Sequence, residues 1–226
     1  MSSHNSNNNQ TNPPSITLST MMEMPAILKL PDIAEGGSTV IEVHAFKCQS
    51  WIKEVIIPEG FTKIGSGAFY KCFNLRKVTL PSTLTHIEDN AFLDCSELEE
   101  INLGHVKHIG EFAFRDLARL GRIDLTSIET LGDYAFMDCK MEWLCGGSIL
   151  GETYFAYIKT IGTRCFHNAT FNGMDDENFG NDFKFGEHLT SIGEMAFCES
   201  DIDSMDLADC KNLTTIAVKA FAECES

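Results

Sequence analysis

The chain has 226 residues, 43% of them hydrophobic and 22% charged, and carries a formal net charge of −16. That hydrophobic balance suits a soluble protein, but so acidic a chain lacks the basic footprint of a nucleic-acid binder and is repelled by anionic membrane surfaces. No apolar run approaches the roughly 18 residues of a membrane-spanning helix, so neither nucleic acid nor membrane insertion is expected.

Residues 1–24 are rich in Ser and Asn and contain Pro13-Pro14, a composition that predicts a disordered tail. The tail has no basic stretch followed by an apolar one, so no secretory signal is visible and an intracellular location is favoured. Ala26 to Pro31 reads as a short strand opening an ordered region over residues 25–226.

From here one motif recurs. An aliphatic residue stands five positions before a Phe in Ile41…Ala45-Phe46, Ile64…Ala68-Phe69, Ile87…Ala91-Phe92, Ile109…Ala113-Phe114, Leu131…Ala135-Phe136, Ile161…Cys165-Phe166, Ile192…Ala196-Phe197 and Ile216…Ala220-Phe221. Successive Phe residues are 23, 23, 22, 22, 30, 31 and 24 positions apart. A fixed period of this length marks a solenoid of about eight repeats, whose units bury their apolar faces only by stacking. Glycines after the aliphatic residue (Gly65, Gly110, Gly132, Gly162, Gly193) suggest a turn that needs permissive backbone angles.

Between the Phe residues lies a second pattern, seen in Leu75-x-x-Val78-x-Leu80-Pro81, Leu98-x-x-Ile101-x-Leu103 and Leu120-x-x-Ile123-x-Leu125. Its last residues alternate with period two, the mark of a half-buried strand. Val78 and Leu80 should point inward, and Lys77 and Thr79 outward. The two long intervals depart from the pattern. Residues 140–159 hold Trp143, Tyr154, Phe155 and Tyr157, and residues 170–188 hold Phe171, Phe179, Phe183 and Phe185. Those aromatics either protrude to engage a partner or fold back over irregular coils. The chain stops near Phe221, where another strand is due and no polar cap is apparent. A fragment of a longer repeat protein, or self-association through an open sheet edge, would account for that.

The run Cys72-x-x-Leu75-x-x-Val78-x-Leu80-Pro81-x-x-Leu84-x-x-Ile87…Ala91-Phe92 resembles the leucine-rich repeat of the BspA-like, or Treponema pallidum, type, with Glu88 in place of the usual Gly. The resemblance extends over about residues 26–226. It implies an α/β-type but mostly β repeat: a solenoid with a parallel concave β-sheet and a convex side of turns, short strands or short helices. It also implies a non-catalytic module for protein binding, adhesion or scaffolding.

Candidate partner-binding residues follow from the outward strand positions: Glu54, Lys77, Thr79, Glu100, Asn102, Arg122 and Asp124. Phe179, Phe183 and Phe185 of the second long interval join them. A protein partner is expected. An extracellular adhesion module is the alternative, for which the sequons at Asn168 and Asn212 would matter. No catalytic motif, cofactor site or metal site is expected, since neither His86, His105 and His108 nor Cys165 and His167 have the paired spacing of a zinc site. Of nine cysteines, Cys72, Cys95, Cys139 and Cys224 each fall three residues after a repeat Phe, a position better explained by packing than by disulfides.

Overall fold

The computed structural model describes residues 26–145, 153–171, 182–202 and 204–224. The predicted tail and Phe179 lie outside them. The architecture is a solenoid of parallel strands and turns, with no helix among the described residues.

Its spine is an eight-stranded parallel sheet of two-residue strands, from Val40–Ile41 through Lys63–Ile64, His86–Ile87 and onward to Thr215–Ile216. Each aliphatic residue of the recurring motif pairs with its counterpart, as in Ile41 with Ile64 and Ile161 with Ile192. The rings of Phe46, Phe69, Phe92, Phe114, Phe136, Phe166, Phe197 and Phe221 form one continuous stack, with centroids 5.2 to 5.7 Å apart. The spine passes both long intervals without a break: Leu131 pairs with Ile161 and Ile161 with Ile192.

The turn around each Phe explains how the coils stay in register. The residues two before and two after every repeat Phe have left-handed backbones, from His44 (φ 58°) and Cys48 (φ 60°) to Lys219 (φ 57°) and Glu223 (φ 58°). The alternation aims every second N–H along the stack. His44, Phe46 and Cys48 donate to the carbonyls of Ser66, Ala68 and Tyr70 in the next coil, at 2.7 to 3.0 Å. Only Gly67 among these sixteen positions is a glycine, although a left-handed backbone costs other residues roughly 1–2 kcal/mol. The bonds gained along the stack offset that cost.

The glycines predicted to supply backbone freedom have a different task. Gly65, Gly110, Gly132, Gly162 and Gly193 do not have positive φ. A Cβ on Gly110 would lie 2.5 Å from the Asp89 nitrogen, and one on Gly162 would lie 2.5 Å from the Asp133 nitrogen. Glycine is there because the backbones of adjacent coils nearly touch.

The opposite wall is the predicted L-x-x-I-x-L face. One ladder joins Ile27–Lys29, Glu54–Ile56, Lys77–Thr79 and Glu100–Ile101, with Leu28, Val55, Val78 and Ile101 in line. It stops there. A second ladder joins Leu120–Asp124, Lys140–Cys145 and Thr170–Phe171; a third joins Thr153–Phe155, Asp182–Phe185 and Ser204–Asp206. Each long interval therefore supplies two strand pieces. Its first piece pairs backward toward Leu120–Asp124, and its second pairs forward toward Ser204–Asp206.

Candidate functional site

The outward strand positions behave as their alternation requires. Lys77, Thr79, Glu100, Asn102 and Arg122 are exposed, whereas Val78, Ile101 and Ile123 between them are buried. Glu54, Lys77 and Glu100 stand side by side in the ladder. Lys77 forms an ion pair with Glu100 across the strands. Next to them Arg119 bonds Glu97 at 3.1 Å and Glu99 at 3.5 Å.

Where the first ladder ends and the second begins, the strand face opens into a concavity of about 560 Å³. Lys77, Thr79, Glu100, Asn102, Arg122 and Asp124 all line it, together with Val78, Leu80, Glu99 and Ile101. Six of the seven strand-face candidates are thus brought to one place, and Glu54 flanks them through Lys77. The two halves are held by the Gly121 N–H donating to the Glu99 carbonyl at 2.9 Å.

Two of these residues also have a local duty. Asn102 Oδ1 accepts from the Gly104 N–H at 2.9 Å, and Asp124 Oδ1 accepts from the Thr126 N–H at 2.9 Å and its hydroxyl at 2.7 Å. Asp206 accepts from the Ala208 N–H at 2.8 Å in the same way. In each case the acceptor lies two residues before the N–H that closes the strand. At Pro58 and Pro81 that N–H does not exist, and the corresponding residues are Ile56 and Thr79, which need no acceptor. An Asx residue at this position is therefore a turn cap before it is a contact.

The aromatic candidates are corrected. Phe183 is 2% exposed and Phe185 is 0%. Both belong to a buried cluster in which Phe155 stacks on Phe185 at 5.1 Å and Phe183 meets Phe171 edge-on at 5.0 Å. A ring closed off in this way offers no partner contact. The reason is geometric: Phe183 and Phe185 alternate inward on a strand, as Val78 and Leu80 do, which a mixture of aromatic and acidic residues did not reveal. Tyr157, by contrast, is exposed and stacks on His188 at 6.4 Å.

The cysteines pack as expected. Cys72, Cys95, Cys139 and Cys224 each donate their thiol to the carbonyl of the Phe one coil back, at 2.8 to 3.1 Å. The eight cysteines other than Cys145 are free thiols. Burial pushes the Cys72 thiol up to about 11. The sequon amides are also engaged: Asn168 Nδ2 donates to Asp138 and Asn212 Nδ2 to the Glu187 carbonyl, both at 2.8 Å.

The BspA-type leucine-rich repeat region matches in six copies over residues 31–143 and 152–226. The chain belongs to the BspA-type leucine-rich repeat family. Among solved structures, a leucine-rich repeat protein from Bacteroides ovatus aligns with a TM-score of 0.54 at 18% identity, over 84% of this chain and 56% of that one. The T. pallidum leucine-rich repeat protein aligns with a TM-score of 0.50 at 18% identity, over 85% of this chain and 69% of that one. At this identity the likeness concerns the fold. This BspA-type chain spans little more than half the length of the Bacteroides structure. No curated protein matches it significantly. No helix among the described residues is long and apolar enough to cross a membrane.

Proposed function

We propose that the chain is a non-catalytic protein-interaction or scaffold module that takes its partner on the strand face around Lys77, Thr79, Glu100 and Arg122. The observation behind this reading is the concavity at the ladder break, lined by residues that the repeat leaves free to differ from coil to coil. The stacked Phe core and the continuous spine hold that face rigid, so little ordering is needed when a partner docks. Its mixed charges favour a protein surface of complementary pattern over a uniformly charged polymer.

The test is charge reversal at the rim. Lys77→Glu combined with Arg122→Glu is compared with the wild type in cross-linking and quantitative co-precipitation from the native source. Partners cross-linked near the concavity should be lost from the double variant while its circular dichroism stays unchanged. A partner held equally by both proteins would place the binding surface elsewhere.

A further inference from the structure

The geometry points to a zinc-binding site formed by His167, Cys198 and Glu199 on the turn side of the stack. Each presents one potential ligand atom, and a ring nitrogen, a sulfur and a carboxylate oxygen all lie within 4.8 Å of one another. Zinc bonds of about 2.0–2.3 Å hold tetrahedral ligands about 3.3–3.8 Å apart, so the trio needs to draw together by no more than about 1.5 Å.

The repeat builds this cluster. His167 directly follows Phe166, Cys198 directly follows Phe197, and those two rings stack at 5.2 Å. The Phe166 N–H donates to the Ala196 carbonyl at 2.7 Å and the Asn168 N–H to the Cys198 carbonyl at 2.9 Å, which locks the two coils side by side. Glu199 follows with a left-handed backbone, φ 60°. Other coils carry Lys47, Tyr70, Leu93, Arg115, Met137 or Ala222 at the place of His167 and Cys198. Among the described residues no other trio of potential ligands comes together.

A second observation concerns the histidine ring. His167 Nδ1 lies 2.9 Å from the Cys198 carbonyl oxygen. A carbonyl only accepts, so this bond puts a proton on Nδ1, and in the neutral ring the lone pair available to a metal is then that of Nε2. Metal-ligating histidines are oriented by just such a bond from the other ring nitrogen. Cys198 is buried, His167 half-buried and Glu199 exposed, which grades the site from solvent inward.

The ligand types choose the metal. A thiolate disfavours magnesium and calcium, and imidazole with thiolate and carboxylate suits zinc. Three protein ligands leave a fourth position for water. Binding would release the Cys198 thiol proton to solvent and tie together the two coils on either side of the second long interval in sequence.

The intact, reduced protein, stripped with a chelator, is titrated with Co²⁺ and then with Zn²⁺. A thiolate-to-cobalt charge-transfer band should saturate at one metal per chain and vanish when zinc displaces the cobalt. Cys198→Ser should abolish the band, and His167→Ala and Glu199→Gln should each weaken binding about tenfold or more. Because Cys198 is buried, the two more accessible variants decide the matter if Cys198→Ser fails to fold. Cys48→Ser, which removes an exposed thiol elsewhere, should bind as the wild type does. Absence of a saturating band, wild-type affinity in both His167→Ala and Glu199→Gln, or loss of the band in Cys48→Ser would each overturn the site.

Discussion

Gly132 lies so close to Gly110 of the preceding coil that a Cβ on it would stand 2.6 Å from the Gly110 carbonyl carbon. Neither side of that contact is a flexible side chain, so the clash can be relieved only by moving one coil against the next. Gly132→Ala should therefore destabilise the protein by about 1–3 kcal/mol, as overpacking does. Lys219→Gly, at a left-handed position, relieves backbone strain while loosening the unfolded chain, and should change stability by less than about 1 kcal/mol. Urea denaturation of both variants checks the contrast. A neutral Gly132→Ala would mean that the coils are not held at this separation in solution.

The stacked Phe rings predict a second contrast. Phe92 is fully buried between Phe69 and Phe114, at 5.3 Å from each. Phe92→Ala should cost about 3–5 kcal/mol, whereas Thr79→Ala on the exposed strand face should stay within about 0.5 kcal/mol. Similar midpoints for the two in chemical denaturation would contradict the assignment of inside and outside.

At the strand ends, Asp124→Ala removes the acceptor of two hydrogen bonds from Thr126 and should cost about 1–2 kcal/mol. Asp124→Asn keeps the accepting oxygen and should recover most of that loss. An Asp124→Ala variant as stable as the wild type would remove the capping role and leave Asp124 solely as a concavity residue.

The Glu129 carboxylate is held down at about 2, first by hydrogen bonds from Lys159 and Lys107 and then by their charges. Lys159 Nζ lies 2.6 Å from it and Lys107 Nζ 3.1 Å. A depressed carboxyl stabilises the fold above its unfolded value of 4.5, and that contribution is lost as pH falls from there toward about 2. Carboxyl titration by NMR should find Glu129 near the low value in the wild type and raised in Lys159→Met. A wild-type Glu129 that titrates at the ordinary value would show that the lysine pair does not persist in solution.

Burial raises the thiols of Cys72, Cys95, Cys139 and Cys165, and desolvation is the leading cause for each. Thiolate, the reactive form, is scarce at such sites near neutral pH. Alkylation followed by mass spectrometry should label exposed Cys48 first and reach these four only after denaturation. Rapid labelling of Cys95 or Cys139 in the native protein would contradict the packed core.

The repeat made much of this fold legible in advance. The fixed distance from Ile to Phe marked the repeating unit, and the alternation in Lys77-Val78-Thr79 separated surface from core. The outward placement of Lys77 and Glu100 followed from the period alone. What stayed hidden depended on how separate coils meet. The glycines after the aliphatic residue looked like turn residues because sequence carries no distance between backbones one period apart. Phe183 and Phe185 looked like loop aromatics because nothing local says that an insertion splits into two strand pieces with opposite pairing.

Composition and spacing are enough to predict the periodic interior, since a Leu, Ile or Phe at a fixed spacing has only the neighbouring copy to be buried against. The candidate sites come from how the coils stack. The concavity exists only where one ladder ends and another begins, and His167 meets Cys198 only because residues 31 positions apart are stacked into adjacent coils. Burial follows from each residue's own chemistry, but a site requires several residues to converge, and in a solenoid the stacking register sets that convergence.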